Sequence, residues 1–184
     1  MLVKHKDQRV GIFIDIQNLY HSAKNIHRAR VNYKELIKAL VAGRPLIRAI
    51  GYVVKSEQSI ISGEASRSEG ARLAPGGEAA FFEALEKSGI ELRMKDLQIF
   101  AGGMKKADWD VGMAVDAIRM ANSLDTVVLV TGDGDFIPLV EYLKWGLGKG
   151  VEVAAFGRSA SAKLKETADS FIDLDRVPRV ILKK

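Results

Sequence analysis

Four aspartates carry the chemistry for which this sequence can be read. Asp15 ends the apolar run Val10-Gly11-Ile12-Phe13-Ile14, and Asp133 and Asp135 follow a second run, Val127-Val128-Leu129-Val130, across Thr131 and Gly132. Asp110 falls between them, at the start of a helical pattern. Short apolar runs of this kind predict buried strands, each delivering an acid at its C-terminal end. Carboxylates packed together repel one another unless a cation or a shared proton neutralises them. A cluster of oxygen ligands suits a hard divalent ion, Mg2+ or Mn2+. The sequence has no cysteine, which removes thiolate zinc sites and disulfides, and its three histidines, His5, His21 and His27, argue against a histidine-rich cage.

Each acid also has a local explanation. Asp15 and Asp135 can cap the helices that follow them. Asp133 sits in a Gly-Asp-Gly turn, and Asp110 can complement a helix dipole. These explanations treat the acids one at a time, whereas a metal site accounts for all of them together.

The elements that must position these side chains alternate between apolar runs and helical patterns, which predicts an α/β fold. Strands are expected at 10–15, 46–54, 90–99, 126–131, 151–156 and 171–174. Helices are expected at about 17–28, at 32–42 capped by Asn32, at 78–88 closed by Gly89, and at 108–122. Two more follow, at 136–147 capped by Asp135 with Pro138 in the first turn, and at 161–168 capped by Ser161. On the 108–122 helix, Val111, Ala114, Val115, Ile118 and Ala121 read as the core stripe. Residues 55–77 are poor in apolar side chains and read as a long surface loop that could clamp substrate, mediate dimerisation, or do neither. At 184 residues a single domain spanning 1–184 is expected, with its core at about 10–174.

In parallel α/β sheets ligands bind beyond the carboxyl ends of the strands, and a helix entered after a strand starts on that same rim. Asp15, Asp133 and Asp110 are therefore expected to converge. Asp116 lies six residues beyond Asp110, about 9 Å along a helix axis, so a supporting or helix-packing role is expected for it. Asn18 can orient a carboxylate, bind substrate or satisfy backbone, and the Thr131 hydroxyl can support the cluster. The net charge of +5 and the pI near 9.4 permit a polyanionic partner without establishing one. Lys105, Lys106, Arg158 and Lys163 are the candidate phosphate contacts, among a wider set that includes Arg93, Lys95 and Lys165. Trp109 and Tyr20 can stack on a base, with ordinary packing as the competing role. No apolar run approaches the roughly 20 residues a membrane helix needs, and the first residues lack a signal-peptide core. A cytoplasmic location without membrane contact is therefore the expectation.

The segments Phe13-Ile14-Asp15-Ile16-Gln17-Asn18-Leu19, Lys106 to Asp116, Thr131-Gly132-Asp133-Gly134-Asp135-Phe136 and Ser161 to Phe171 resemble the LabA-like branch of the NYN-domain family, within the PIN-like nuclease superfamily. The resemblance implies a three-layer α/β sandwich of PIN-like (Rossmann-like) topology, with a mainly parallel central sheet in the order 3-2-1-4-5. It implies a Mg2+ or Mn2+ site on Asp15, Asp110 and Asp133 with Asp135 close by, and ribonuclease-type phosphodiester cleavage with RNA as partner. Asn18 joins the four aspartates as a candidate catalytic residue. Many PIN-like nucleases add a glutamate from a helix in the first half, for which Glu35 and Glu78 are the candidates here. A non-catalytic RNA- or protein-binding regulatory module stands as the alternative, and a homodimer is open. A phosphatase of the haloacid-dehalogenase type would want an acid where Gln17 stands. A phosphoaspartate receiver would want a lysine at the end of strand five, where Val153-Ala154-Ala155-Phe156 has none.

Overall fold

The computed structural model describes residues 4–55, 77–96, 98–99, 105–106 and 109–182, apart from the side chains of residues 96, 98–99 and 105–106. The loop expected at 55–77 therefore lies, from 56 to 76, outside the described residues.

The chain runs β1 (Val10–Asp15), α1 (Ile16–Ser22), β2 (Arg30–Val31), α2 (Tyr33–Val41), β3 (Leu46–Lys55), α3 (Gly77–Lys87), β4 (Glu91–Asp96), β5 (Gln98–Ile99) and β6 (Lys105–Lys106). It continues with α4 (Asp110–Met120), β7 (Thr126–Val130), α5 (Ile137–Glu141), β8 (Gly150–Ala155), α6 (Ala162–Thr167), β9 (Ser170–Asp173) and β10 (Ile181–Leu182). A π-helical turn extends α1 through Ala23–His27, and another extends α5 through Tyr142–Gly146.

Six strands form one parallel sheet in the order β4-β3-β1-β7-β8-β9. This is the expected 3-2-1-4-5 order with the last strand added at one edge. β1 and β7 are apolar on both faces, as central strands of a parallel sheet covered by helices must be. Alternation then sorts the core into two layers. Ile12, Ile14, Val128 and Val130 face α1, α2 and α3, meeting Ile16, Leu19, Leu36, Leu40 and Leu85. Phe13, Val127 and Leu129 face α4, α5 and α6, meeting Met113, Ala117, Phe136, Val140, Leu143 and Leu164. The product is a three-layer α/β sandwich.

Local signals act where the residue types require. Asn32 caps α2 by accepting from the Glu35 N–H at 3.3 Å, and Ser161 caps α6 by accepting from the Leu164 N–H. Gly89 ends α3 at φ +85°. Two expectations are corrected. The sheet-facing side of α4 is Met113, Ala117 and Ala121, whereas Val111, Val115 and Ile118 are exposed. Small residues let this helix approach the sheet closely, and Asp110 and Asp116 turn toward the sheet at the expense of the larger aliphatic side chains. The second correction concerns the turn before α5. Its cap is Asp133, which accepts from the Asp135 N–H at 3.0 Å, while Asp135 itself is exposed.

A buried ion pair pins α2 to β8. The Arg44 guanidinium donates to both Glu152 carboxylate oxygens at 2.9 and 3.1 Å and to the Leu40 and Val41 carbonyls, while Lys4 reaches Glu152 from outside at 2.9 Å. β10 pairs antiparallel with β2, Ile181 beside Val31 and Leu182 beside Arg30. Among the described residues, no helix is long and apolar enough to cross a membrane.

Candidate metal centre

The chain leaves β1, builds β3 and β4 outward on one side, and returns to place β7 against the other edge of β1. That reversal opens a crevice at the carboxyl ends of β1 and β7. Asp15 ends β1, Asp133 follows β7 by three residues, and Asp110 opens α4. Carboxylate oxygens of Asp110, Asp133 and Asp135 lie within 4.8 Å of one another. Asp15 stands beside this triangle. One of its oxygens caps α1, accepting from the Asn18 N–H at 2.9 Å, so the capping role and a place at the site coexist.

The electrostatics express the crowding. Burial pushes the Asp15 carboxyl up to about 6, and the charges of Asp110 and Asp133 add to the effect against the opposing hydrogen bond from Asn18. A cation in this position would relieve the repulsion. The donors are all carboxylate oxygens, and this set fits a hard divalent ion of the Mg2+ or Mn2+ kind.

The turn holding Asp133 is fixed from three directions. The Asn18 side-chain carbonyl accepts from the Gly132 N–H at 3.1 Å, tying α1 to the turn. The buried Thr131 hydroxyl accepts from the Asp133 N–H at 3.2 Å. The Ser161 N–H donates to the Gly132 carbonyl at 2.9 Å. Position 132 has no room for a side chain, because a Cβ there would lie 2.9 Å from the Ser159 carbonyl oxygen and 3.1 Å from the Ala160 Cα.

A cleft of about 210 Å³ opens beside the carboxylates, lined among the described residues by Asp15, Gln17, Asn18, Tyr52, Trp109, Asp110 and Asp133. Neither Glu35 nor Glu78 lines it. Asp116 stays outside the acidic triangle and accepts from the Tyr52 hydroxyl at 3.0 Å, with Arg93 Nε at 3.6 Å. Burial and the Asp116 carboxylate hold the Tyr52 phenol protonated far above the ordinary range, so it remains a donor. Arg158 and Lys163 are exposed on the segment that abuts the Gly132 turn. The side chains of Lys105 and Lys106 lie outside the described residues. Lys165 is engaged by packing: its ammonium donates to the Gly157 carbonyl and lies 5.2 Å from the Phe171 ring centroid.

Sequence reasoning passed over Tyr52 and Gln17. Tyr52 pairs in register with Asp15 across β1 and β3, so a polar-tipped aromatic one strand away from the acid was the available signal. Gln17 lies two residues past Asp15, in the first turn of α1.

A doubly wound parallel sheet with an aspartate cluster at its switch point is the architecture of PIN-like nuclease domains. The chain belongs to the NYN domain family, which matches residues 9–175. It is similar to the low amplitude and bright protein LabA of Synechococcus elongatus, 27% identical over 115 residues, a match covering 59% of this chain and 61% of that relative's length. It is also similar in structure to a crystallised protein of unknown function from Vibrio parahaemolyticus, with a TM-score of 0.79 and 28% identity over 98% of this chain and 100% of the other.

Proposed function

We propose that this protein is a metal-dependent ribonuclease that hydrolyses RNA phosphodiester bonds at the acidic cluster. The observation that carries the reading is the convergence of Asp110, Asp133 and Asp135 within 4.8 Å, beside an Asp15 whose titration is pushed up by burial and by two of them. Membership of a PIN-like nuclease family supports it. Asp110, Asp133 and Asp135 would hold Mg2+ or Mn2+, with Asp15 as a further carboxylate ligand or wall beside them. The chemistry such an ion supplies is activation of a water and stabilisation of charge developing on the phosphodiester.

The chain's own residues supply the positioning. Asn18 and Thr131 fix the Gly132–Asp133 backbone, so the Asp133 carboxylate is presented in one orientation. Arg158 and Lys163 face solvent next to that turn, where cations can hold the flanking phosphates. Lys105 and Lys106 are proposed for the same task. A second reading, a non-catalytic RNA- or protein-binding module, is favoured by one observation: no glutamate lines the cleft among the described residues.

Purified protein incubated with labelled single-stranded and hairpin RNAs in Mn2+, Mg2+ or EDTA separates the two. Cleavage that requires a divalent ion is the expected result. RNA bound without turnover in any metal would replace the nuclease with the binding module.

A further inference from the structure

We propose that the cleft beside the carboxylates is a nucleobase subsite, with Trp109 as its stacking plane and Gln17 reading the base edge, so that RNA is engaged there as an unpaired strand. This rests on the ribonuclease reading above. Trp109 stands at the entrance to α4 with no side-chain capping bond to justify its place there. Its ring is held by the rest of the site. The indole N–H donates to the Val53 carbonyl at 2.8 Å, and Tyr52 packs against the ring at 5.5 Å with the planes inclined by 58°. Gly112 supplies the seat, since a Cβ there would come within 2.5 Å of a ring carbon. This ring is anchored at its nitrogen and partly exposed, and it lines the same cleft as Asp110 and Asp133.

The surroundings match what a nucleotide presents. Gln17 is exposed on the cleft wall, and its amide offers both a donor and an acceptor, the pattern of a base edge. Asn18 is less suited to that task because its carbonyl already holds the Gly132 N–H. The Lys95 ammonium lies over the Trp109 ring, 5.8 Å from its centroid, so a base that stacks there displaces it toward its own edge. Arg93, two residues earlier on β4, projects from the same face of the strand toward Asp116. The cleft thus joins an aromatic plane and an amide edge, with two engaged cations beside it, Arg93 at Asp116 and Lys95 over the ring, a composition that suits single-stranded nucleic acid. A base inside a duplex is stacked on its neighbours and cannot reach a recessed ring without unpairing.

The chain has two tryptophans, and Trp145 is 83% exposed on the turn that extends α5. A Trp145→Phe background therefore makes Trp109 the sole indole emitter. In that background, with Asp133→Asn to prevent cleavage, short unstructured oligoadenylate and oligouridylate and a blunt RNA duplex of equal length are titrated in Mg2+. Trp109 emission and the anisotropy of labelled RNA are read together. The single strands should quench Trp109 and the duplex should not. Trp109→Leu and, separately, Gln17→Ala should weaken single-strand binding, the former on the order of ten-fold. Gln17 is exposed, so its variant tests the subsite even if the Trp109 variant fails to fold. Single strands that bind without altering Trp109 emission, or a duplex that binds and quenches equally, would overturn the subsite and leave the nuclease reading standing. RNA neither bound nor cut by wild-type protein would overturn both.

Discussion

Replacing Asp15 with asparagine should stabilise the metal-free protein at neutral pH. Asparagine caps a helix about as well as aspartate, so the bond from the Asn18 N–H can survive and the charge alone is removed. Burial, with the Asp110 and Asp133 charges adding to it, raises the folded-state pKa of Asp15 to about 6, against about 3.9 for an unfolded chain. The folded protein therefore holds the Asp15 proton more tightly than the unfolded chain does. That contribution is fully present below about pH 4 and is lost as pH rises through about 6. Two pH units correspond to roughly 3 kcal/mol as an upper figure, or on the order of 5–10 °C in melting temperature for a domain of this size. The assay is thermal or urea unfolding of wild type and Asp15→Asn in EDTA from pH 4 to pH 8. The variant should gain on wild type between about pH 4 and pH 6 and then hold a constant lead toward pH 8, and Mn2+ should narrow that lead by giving the wild-type anion a counter-charge. A gap independent of pH, or a variant less stable than wild type at pH 7.5 in EDTA, would refute the electrostatic account of the cluster.

Other consequences follow from the packing. Glu152→Gln strands the buried Arg44 guanidinium and should cost about 3–5 kcal/mol in urea unfolding; a loss below about 1 kcal/mol would mean the pair is not buried as described. Gly132→Ala forces a Cβ against the Ser159–Ala160 backbone and should destabilise by about 1–3 kcal/mol, with a larger proportional loss of RNA cleavage because the turn carries Asp133. Met113→Ala should cost about 2–5 kcal/mol, whereas Val111→Ala, at a site 74% exposed, should stay within about 0.5 kcal/mol. Equal costs at the two positions would mean that α4 is rotated from the orientation found.

The strands and the convergence of the acids were legible because both follow from pattern, whereas the strand order came from the family resemblance. Apolar runs ending in aspartate mark buried strands, and parallel strands place their carboxyl ends on one rim. The orientation of α4 was not legible in the same way. Hydrophobicity alone turns Val111, Val115 and Ile118 inward, yet close approach to the sheet selects Ala117 and Ala121, while Trp109 over Gly112 fixes where the helix begins. The cap at the start of α5 was displaced by two residues because Asp133 and Asp135 are the same residue type in the same turn. Only the backbone decides which carboxylate receives the N–H. The Asn18–Gly132 bond joins residues 114 apart in sequence, and no local spacing announces it.

The central claim is that Asp110 and Asp133 are the chemical centre of a ribonuclease, and substituting each with asparagine tests it most directly. Asparagine retains the shape of each side chain and, at position 133, a carbonyl able to cap the turn, so native circular dichroism and melting behaviour should persist. The measurement is Mn2+-dependent cleavage of labelled single-stranded RNA by wild type, Asp110→Asn and Asp133→Asn. The account predicts cleavage by wild type and its loss in both folded variants. Cleavage undiminished in either variant would contradict it.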